Sequence, residues 1–118
     1  MVWAVVYHPG FLKELKALDQ DVADKLRETA IALSEDGPRL GRPLVDTLSG
    51  SRHGNMKELR IAVKGAWRFA FAFDPARSAV VLVGGNKEGS SSRRFYKRLI
   101  QIADERFDDW LEALENEE

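Results

Sequence analysis

The clearest hydrophobic pattern in the chain lies between positions 57 and 73, where apolar and polar residues alternate. A period of two is typical of β-strands that bury one face. In the first run the aliphatic residues share one face, and in the second run a tryptophan and three phenylalanines do so. A wholly apolar run follows. The pattern therefore predicts three consecutive strands, at about 57–64, 66–73 and 79–85.

The loop between the first two strands determines their register. With residues 64–66 as a three-residue loop, which is a common hairpin connection, Ile61 faces Phe69 and every large apolar side chain lies on one face. A two-residue loop would instead set Val63 opposite Arg68 and mix apolar with charged side chains. We therefore predict the three-residue loop.

The other face of this hairpin carries Arg60 and Arg68 among three alanines. In the predicted register the two arginines are diagonal neighbours, about 7–8 Å apart at the backbone. A fully buried face would not hold two unpaired charges, because their desolvation is costly. An ordinary solvent-facing surface would seldom be so poor in bulky polar residues. We expect a shallow groove with an alanine floor, suited to an anionic ligand.

The flanking segments predict helices around the hairpin. Helical spacing of apolar residues, a capping aspartate and a Gly-Pro stop indicate two helices that pack as a hairpin on the aromatic face of the sheet. A long basic connection precedes the strands, and serines cap a last amphipathic helix. The order is β-α-α-β-β-β-α, an α+β fold with an antiparallel sheet. The flanking segments are a strand at 2–7, helices at about 9–18 and 19–36, the connection at 37–55 and a helix at about 93–114.

Composition limits the chemistry. The 118 residues fit one domain, 1–118, and 44% of them are hydrophobic, as in a soluble globular protein. The sequence has no cysteine and two distant histidines, His8 and His53, so we expect no disulfide and no metal site. The N-terminal apolar run lacks a basic start and is too short for a signal peptide or a membrane span. We expect a cytoplasmic protein without a membrane partner.

The net charge of −1 conceals an asymmetry. From Asp104 onward there are eight acidic residues and one arginine, a charge of −7, which leaves +6 on residues 1–103. A basic body is suited to a nucleic-acid backbone. The acidic end of the last helix either repels nucleic acid locally or pairs with basic residues of the body.

Several short motifs together resemble one family. They are Lys-Glu-Leu-Arg at 57–60, Trp-Arg-Phe-Ala-Phe at 67–71, Gly-Gly-Asn-Lys-Glu-Gly at 84–89, Phe-Tyr-Lys at 95–97 and Ile-Ala-Asp at 102–104. Their order and spacing resemble the RelE/ParE superfamily of bacterial toxins, most closely its HigB-like, phage-derived branch.

The resemblance implies the toxin of a type II toxin–antitoxin pair, with a cognate helix-turn-helix antitoxin as its partner. HigB- and RelE-like toxins cleave mRNA on the ribosome through the RNA's own 2′-hydroxyl, with basic side chains stabilising the phosphorane and without a metal or cofactor. Two other functions remain open: a ParE-like inhibitor of DNA gyrase that cleaves nothing, and a protein that keeps the fold but has lost activity.

The candidate site residues come from the charge pattern of the predicted strands and loops and from the resemblance to the toxin family. The strand arginines and the lysine at the start of their strand match family positions, and a loop histidine is a possible base near neutral pH. A lysine after two glycines and a basic helix start are suited to phosphate contacts. The candidates for catalysis are Arg60, Arg68, Lys57, Tyr96 and His53. Those for RNA binding are Lys87, Arg52, Lys64, Arg93 and Arg94.

Overall fold

The three consecutive strands predicted from the sequence occupy the middle three positions of a five-stranded sheet. The computed structural model describes residues 2–117. The elements, in chain order, are β1 (Ala4–Tyr7), α1 (Pro9–Lys16), α2 (Gln20–Asp36), β2 (Val45–Thr47), β3 (Met56–Ile61), β4 (Trp67–Phe73), β5 (Ser78–Asn86) and α3 (Ser92–Asn116).

The strands are arranged β1-β5-β4-β3-β2 across the sheet. All neighbours are antiparallel except β1, which runs parallel to β5. The predicted α+β class and mainly antiparallel sheet are confirmed. The short strand β2 was not predicted, because three residues within the connection at 37–55 are too few to show an alternation. Its pairing with β3 places that connection along the edge of the sheet.

The α1–α2 hairpin covers the aromatic face of the sheet, as predicted. Phe11 of α1 and Leu26 of α2 pack with Leu59, Phe69 and Phe71 in one buried cluster. The rings of Phe11 and Phe69 meet edge to face, with their centroids 5.9 Å apart. This geometry is favourable for aromatic pairs.

The helix α3 covers the opposite face, which we had expected to be an open groove. Ala70 and Ala72 are fully buried there against Leu99, Ala103 and Phe107. The expectation of an exposed alanine floor was therefore wrong, because small side chains on the strands let a helix pack closely on them. No helix within residues 2–117 is both long and apolar enough to cross a membrane.

The register of the β3–β4 hairpin differs by two residues from the predicted one. Ile61 pairs with Trp67, whereas we had expected it to face Phe69. The loop is longer than predicted, since Lys64 and Gly65 adopt positive φ angles of 52° and 135°. A shift of two preserves which residues share a face, so the hydrophobic pattern could not distinguish the two registers.

Candidate functional site

Arg60 and Arg68 stand directly opposite each other on β3 and β4. The prediction that they share a face is confirmed, and their predicted diagonal placement is wrong because of the two-residue shift. The side chain of Arg60 is 34% exposed and that of Arg68 only 14%. Like charges in opposite positions repel each other. The pair therefore needs a compensating anion close by.

That anion is Glu58, whose residue is 2% exposed. Its Oε2 accepts a hydrogen bond from Arg60 Nε at 3.2 Å, and its Oε1 lies 3.8 Å from Arg68 Nε. The hydroxyl of Tyr96 donates to Oε1 at 2.8 Å. A second carboxylate, that of Asp46, lies 3.7 Å from Arg60 Nη2. One buried carboxylate thus joins two arginines and a tyrosine.

The sequence analysis did not select Glu58 as a site residue. Positions 58 and 60 lie on the same face of a strand, so alternation alone places Glu58 beside Arg60. A carboxylate two positions before a predicted phosphate-binding arginine, on the same strand face, was the signal that could have identified it.

Tyr96 reaches this cluster from the first turns of α3. Burial raises the pKa of Tyr96, and its hydrogen bond to Glu58 raises it further. The hydroxyl is therefore protonated near neutral pH. The ammonium of Lys87 lies 5.6 Å from the centroid of the Tyr96 ring, within the range of a cation–π contact. Tyr96 therefore contacts Glu58 through its hydroxyl and Lys87 through the face of its ring.

Glu58, Arg60 and Tyr96 of this cluster line a cleft of about 230 Å³ between β3 and α3, whereas Arg68 lies outside its lining. Partial burial is the largest single influence on the pKa of Arg60 and disfavours its charged form, but Glu58, Tyr96 and Asp46 together outweigh burial and raise this pKa. A cation therefore borders the cleft at all ordinary pH values. The lining residues are Thr47, Leu48, Ser49, Glu58, Arg60, Tyr96 and Ile100.

A second cleft, of about 500 Å³, continues from the first. The two clefts share Ser49, Tyr96 and Ile100. The second cleft is bordered by basic side chains from the β2–β3 loop and from α3. Those side chains are Arg52, Arg93 and Lys97.

Arg52 and His53 are held by the acidic part of α3. Arg52 forms ion pairs with Asp108 and Asp104, and His53 Nε2 lies 2.7 Å from Asp108 Oδ1. The hydrogen bond from Arg52 lowers the pKa of Asp108 most, and the hydrogen bond from His53 lowers it further. The acidic helix end thus pairs with the body, which was one of the two roles considered for it. His53 does not line the cleft of Arg60.

Three other candidates lie elsewhere. Lys57 pairs with Phe71 in the sheet and alternates with Glu58, so it belongs to the face of the α1–α2 hairpin and not to that of the arginines. Lys64 forms ion pairs with Asp19 and Asp21 at the start of α2. Arg94 lines a separate groove beside β5. Strand alternation and the longer hairpin loop separate Lys57 and Lys64 from the cluster.

Comparison with known proteins identifies the family. Residues 13–108 match the family described as "Phage derived protein Gp49-like (DUF891)". The HigB3 protein of Mycobacterium tuberculosis, which carries the name of a toxin, is 43% identical over 108 residues, covering 92% of this chain and 93% of HigB3. HigB2 of the same organism, also named as a toxin, is 45% identical over 104 residues. That match covers 86% of this chain, which spans about half (51%) of HigB2.

The fold has a counterpart among solved structures. A mutant of the E. coli toxin RelE in the free state superposes with a TM-score of 0.67, covering 90% of this chain and 98% of RelE. The two sequences are 18% identical, so this likeness concerns the fold alone. Family match, close relatives and fold agree with the resemblance predicted from the sequence motifs. The chain belongs to the Gp49-like, phage-derived family, together with relatives that carry the name of HigB toxins.

Proposed function

We propose that this toxin is an endoribonuclease that cleaves mRNA on the ribosome and is neutralised by its cognate antitoxin. The observation that carries the proposal is the cluster of Arg60, Arg68 and Tyr96 around Glu58. Arg60, Tyr96 and Glu58 form part of the wall of a cleft. The names of the relatives support the assignment as a toxin. The cluster of arginines and tyrosine supports RNA cleavage as its reaction.

The cluster is suited to attack by the 2′-hydroxyl of RNA. In that reaction the bond from the 2′-oxygen to phosphorus forms and the bond from phosphorus to the 5′-oxygen breaks, which leaves a 2′,3′-cyclic phosphate and a 5′-hydroxyl. Negative charge accumulates on the phosphate in the transition state. A preorganised cation aimed at such charge contributes about 3–4 kcal/mol. Arg60 is the more exposed arginine, so we assign it the direct phosphate contact.

Tyr96 and Glu58 have supporting roles in this proposal. The hydroxyl of Tyr96 lies at the cleft wall and donates its single proton to Glu58. In this proposal it exchanges that hydrogen bond for one to a phosphate oxygen or to the leaving 5′-oxygen when RNA is bound. Glu58 is too buried to bind RNA directly, and it orients both Tyr96 and Arg60. Rigid positioning of such groups lowers the cost of reaching the transition state.

The second cleft supports a path for the RNA strand beyond the reacting phosphate. Arg93 and Lys97 lie one turn apart on α3 and border this cleft together with Arg52. Positive side chains that follow a groove bind a nucleic-acid backbone independently of its sequence. We therefore assign the flanking nucleotides to this cleft.

The test is the rate of mRNA cleavage on programmed ribosomes. Arg60→Ala should slow cleavage by a factor on the order of 10²–10³, the kinetic equivalent of one lost cation. Arg60→Lys should restore only part of the rate, because lysine keeps the charge but lacks the planar fork. Arg27→Ala is a matched control, since Arg27 is an exposed arginine of α2 paired with Asp24.

Two results would contradict the proposal. Full-rate cleavage by folded Arg60→Ala would remove the cluster from the mechanism. Intact message together with blocked DNA supercoiling by the wild type would favour the ParE-like gyrase inhibitor. Growth arrest on expression, relieved by the adjacent reading frame, tests the toxin–antitoxin pairing separately from the reaction.

A further inference from the structure

One buried carboxylate on α3, that of Asp104, has no role in the proposed reaction. The residue is 5% exposed. Its Oδ1 accepts a hydrogen bond from the hydroxyl of Ser51 at 2.5 Å, and its Oδ2 accepts one from the backbone N–H of Arg52 at 3.2 Å. Arg52 Nη1 lies 3.8 Å from Oδ2 and completes an ion pair. Because burying a carboxylate is costly unless it is paired, these partners indicate what Asp104 does in the fold.

All three contacts come from the loop between β2 and β3. The strand ladder ends at the hydrogen bond from Leu48 N to Met56 O, and beyond that bond the loop leans on α3. Asp104 holds it through a serine hydroxyl and a backbone N–H. The ring of His53 meets that of Phe107 edge to face, with the centroids 4.9 Å apart. The loop is therefore attached to α3 by one carboxylate and one aromatic contact.

Arg52 is the cation that this attachment places. Its side chain is 59% exposed and borders the second cleft. Its Nη2 donates a hydrogen bond to Asp108, and Asp104 fixes the backbone N–H at the base of the same residue. A guanidinium has five N–H donors, and within residues 2–117 the bond to Asp108 is the only side-chain hydrogen bond of Arg52. Arg52 is thus held at both ends, and four donors remain for a ligand.

Asp104 itself also borders the second cleft, to which we assign the flanking nucleotides. A carboxylate in that place repels a phosphate. The guanidinium of Arg52 compensates this charge, because it lies 3.8 Å away on the same cleft. The effect of Asp104 on RNA binding should therefore depend on whether Arg52 is present.

We propose that Asp104 is a positioning residue for RNA binding, which fixes the β2–β3 loop so that Arg52 meets a phosphate of a flanking nucleotide from an ordered position. A mobile arginine loses rotamer freedom when it binds a phosphate, and ordering it beforehand reduces that loss. The contact to the backbone N–H of Arg52 supports this role, since it orders the residue and leaves guanidinium donors free. The inference rests on the RNA path in the proposed function and adds no step to the reaction.

The experiment measures cleavage on programmed ribosomes over a range of toxin concentrations, which gives a half-saturating concentration and a maximal rate. Asp104→Asn and Ser51→Ala should each raise the half-saturating concentration about three- to tenfold, as should Arg52→Ala, and leave the maximal rate within about twofold of wild type. Ser34→Ala is the matched control, because on the other face of the sheet it loses a similar hydrogen bond, to the carbonyl of Trp3. It should keep the wild-type half-saturating concentration.

A second genetic background separates positioning from a general loss of stability. When Arg52→Ala is already present, Asp104→Asn should no longer weaken binding, because the carboxylate then only repels phosphate. An equal loss in both backgrounds would mean that Asp104 acts on the fold as a whole, and would overturn the proposal. Tighter binding by Asp104→Asn alone would also overturn it, since that result is expected if the carboxylate withholds Arg52 from RNA.

Hydrogen exchange tests the loop without RNA. The amides of Arg52 and His53 bond to Asp104 and to the Ser51 hydroxyl, so both should exchange faster in Ser51→Ala. Unchanged exchange would contradict the attachment.

The outcomes distinguish this inference from the function on which it rests. If Arg52→Ala weakens binding but Asp104→Asn and Ser51→Ala do not, the positioning role alone is wrong. If Arg52→Ala behaves as wild type, the second cleft is not the RNA path, and the inference fails with that assignment while Arg60 keeps its role. A wild type that cleaves no message would refute the proposed function and this inference together.

Discussion

Replacing Glu58 by glutamine removes one buried charge and almost no volume. In the folded protein this carboxylate accepts hydrogen bonds from Tyr96 and Arg60 and pairs with Arg68. The substitution keeps a hydrogen-bonding group in place but leaves the arginines without their shared anion. It therefore tests whether the cluster is an electrostatic unit.

The expected loss can be worked out from the contacts. A hydrogen bond to a charged group contributes about 1.5–3 kcal/mol and one between neutral groups about 1 kcal/mol. The change thus costs about 1 kcal/mol at the Tyr96 contact. It costs about the same or less at Arg60, which is one-third exposed and has Asp46 at 3.7 Å. The ion pair of Arg68 is 3.8 Å long and contains no hydrogen bond, so its loss adds only about 1 kcal/mol, the upper end for weak ion pairs. We expect a total of about 2–3 kcal/mol.

The measurement is urea unfolding of Glu58→Gln beside Glu112→Gln, the same chemical change at an exposed position of α3. The control should stay within about 0.5 kcal/mol of wild type. The loss in Glu58→Gln should persist at high salt, since buried pairs are screened little. A loss under about 0.5 kcal/mol with an unchanged m value would refute the reasoning.

Two further predictions concern other parts of the chain. Gly65→Ala should lower the free energy of unfolding by more than about 1 kcal/mol, because φ is 135° there and an added Cβ would lie 2.6 Å from the side-chain amide of Asn86. Gly41→Ala is the control, since an added Cβ there would have no atom within 4 Å. Urea unfolding of both variants tests this prediction. Arg52 lowers the pKa of Asp108 from its usual 3.8, so this carboxylate stabilises the fold above that pH. The stability difference between wild type and Asp108→Asn should therefore shrink as the pH falls through the lowered pKa. Asp109→Asn, on the same helix, is the control, and a difference that grows towards acid pH would contradict the assignment.

The sequence alone determined which residues share each face of the sheet. Strand alternation is local, so the apolar face of Leu59 and Phe69 and the arginine face of Arg60 and Arg68 followed from a period of two. The α1–α2 hairpin, the caps and the length of α3 followed from local spacing and capping residues. The family followed from the order of short motifs.

Only the tertiary structure decided the rest. A two-residue shift leaves every side chain on its face, so the register depended on the positive φ angles of the loop at Lys64 and Gly65. Small residues such as Ala70 are compatible with an open floor or with a closely packed helix, and the position of α3 decided between them. The meeting of Tyr96 with Glu58, 38 positions apart in the sequence, is a long-range contact that no local pattern encodes. Strand periodicity therefore predicted that the two arginines of the candidate site share a face. The contact of the tyrosine with the buried carboxylate, and the cleft beside them, depend on how α3 packs on the sheet.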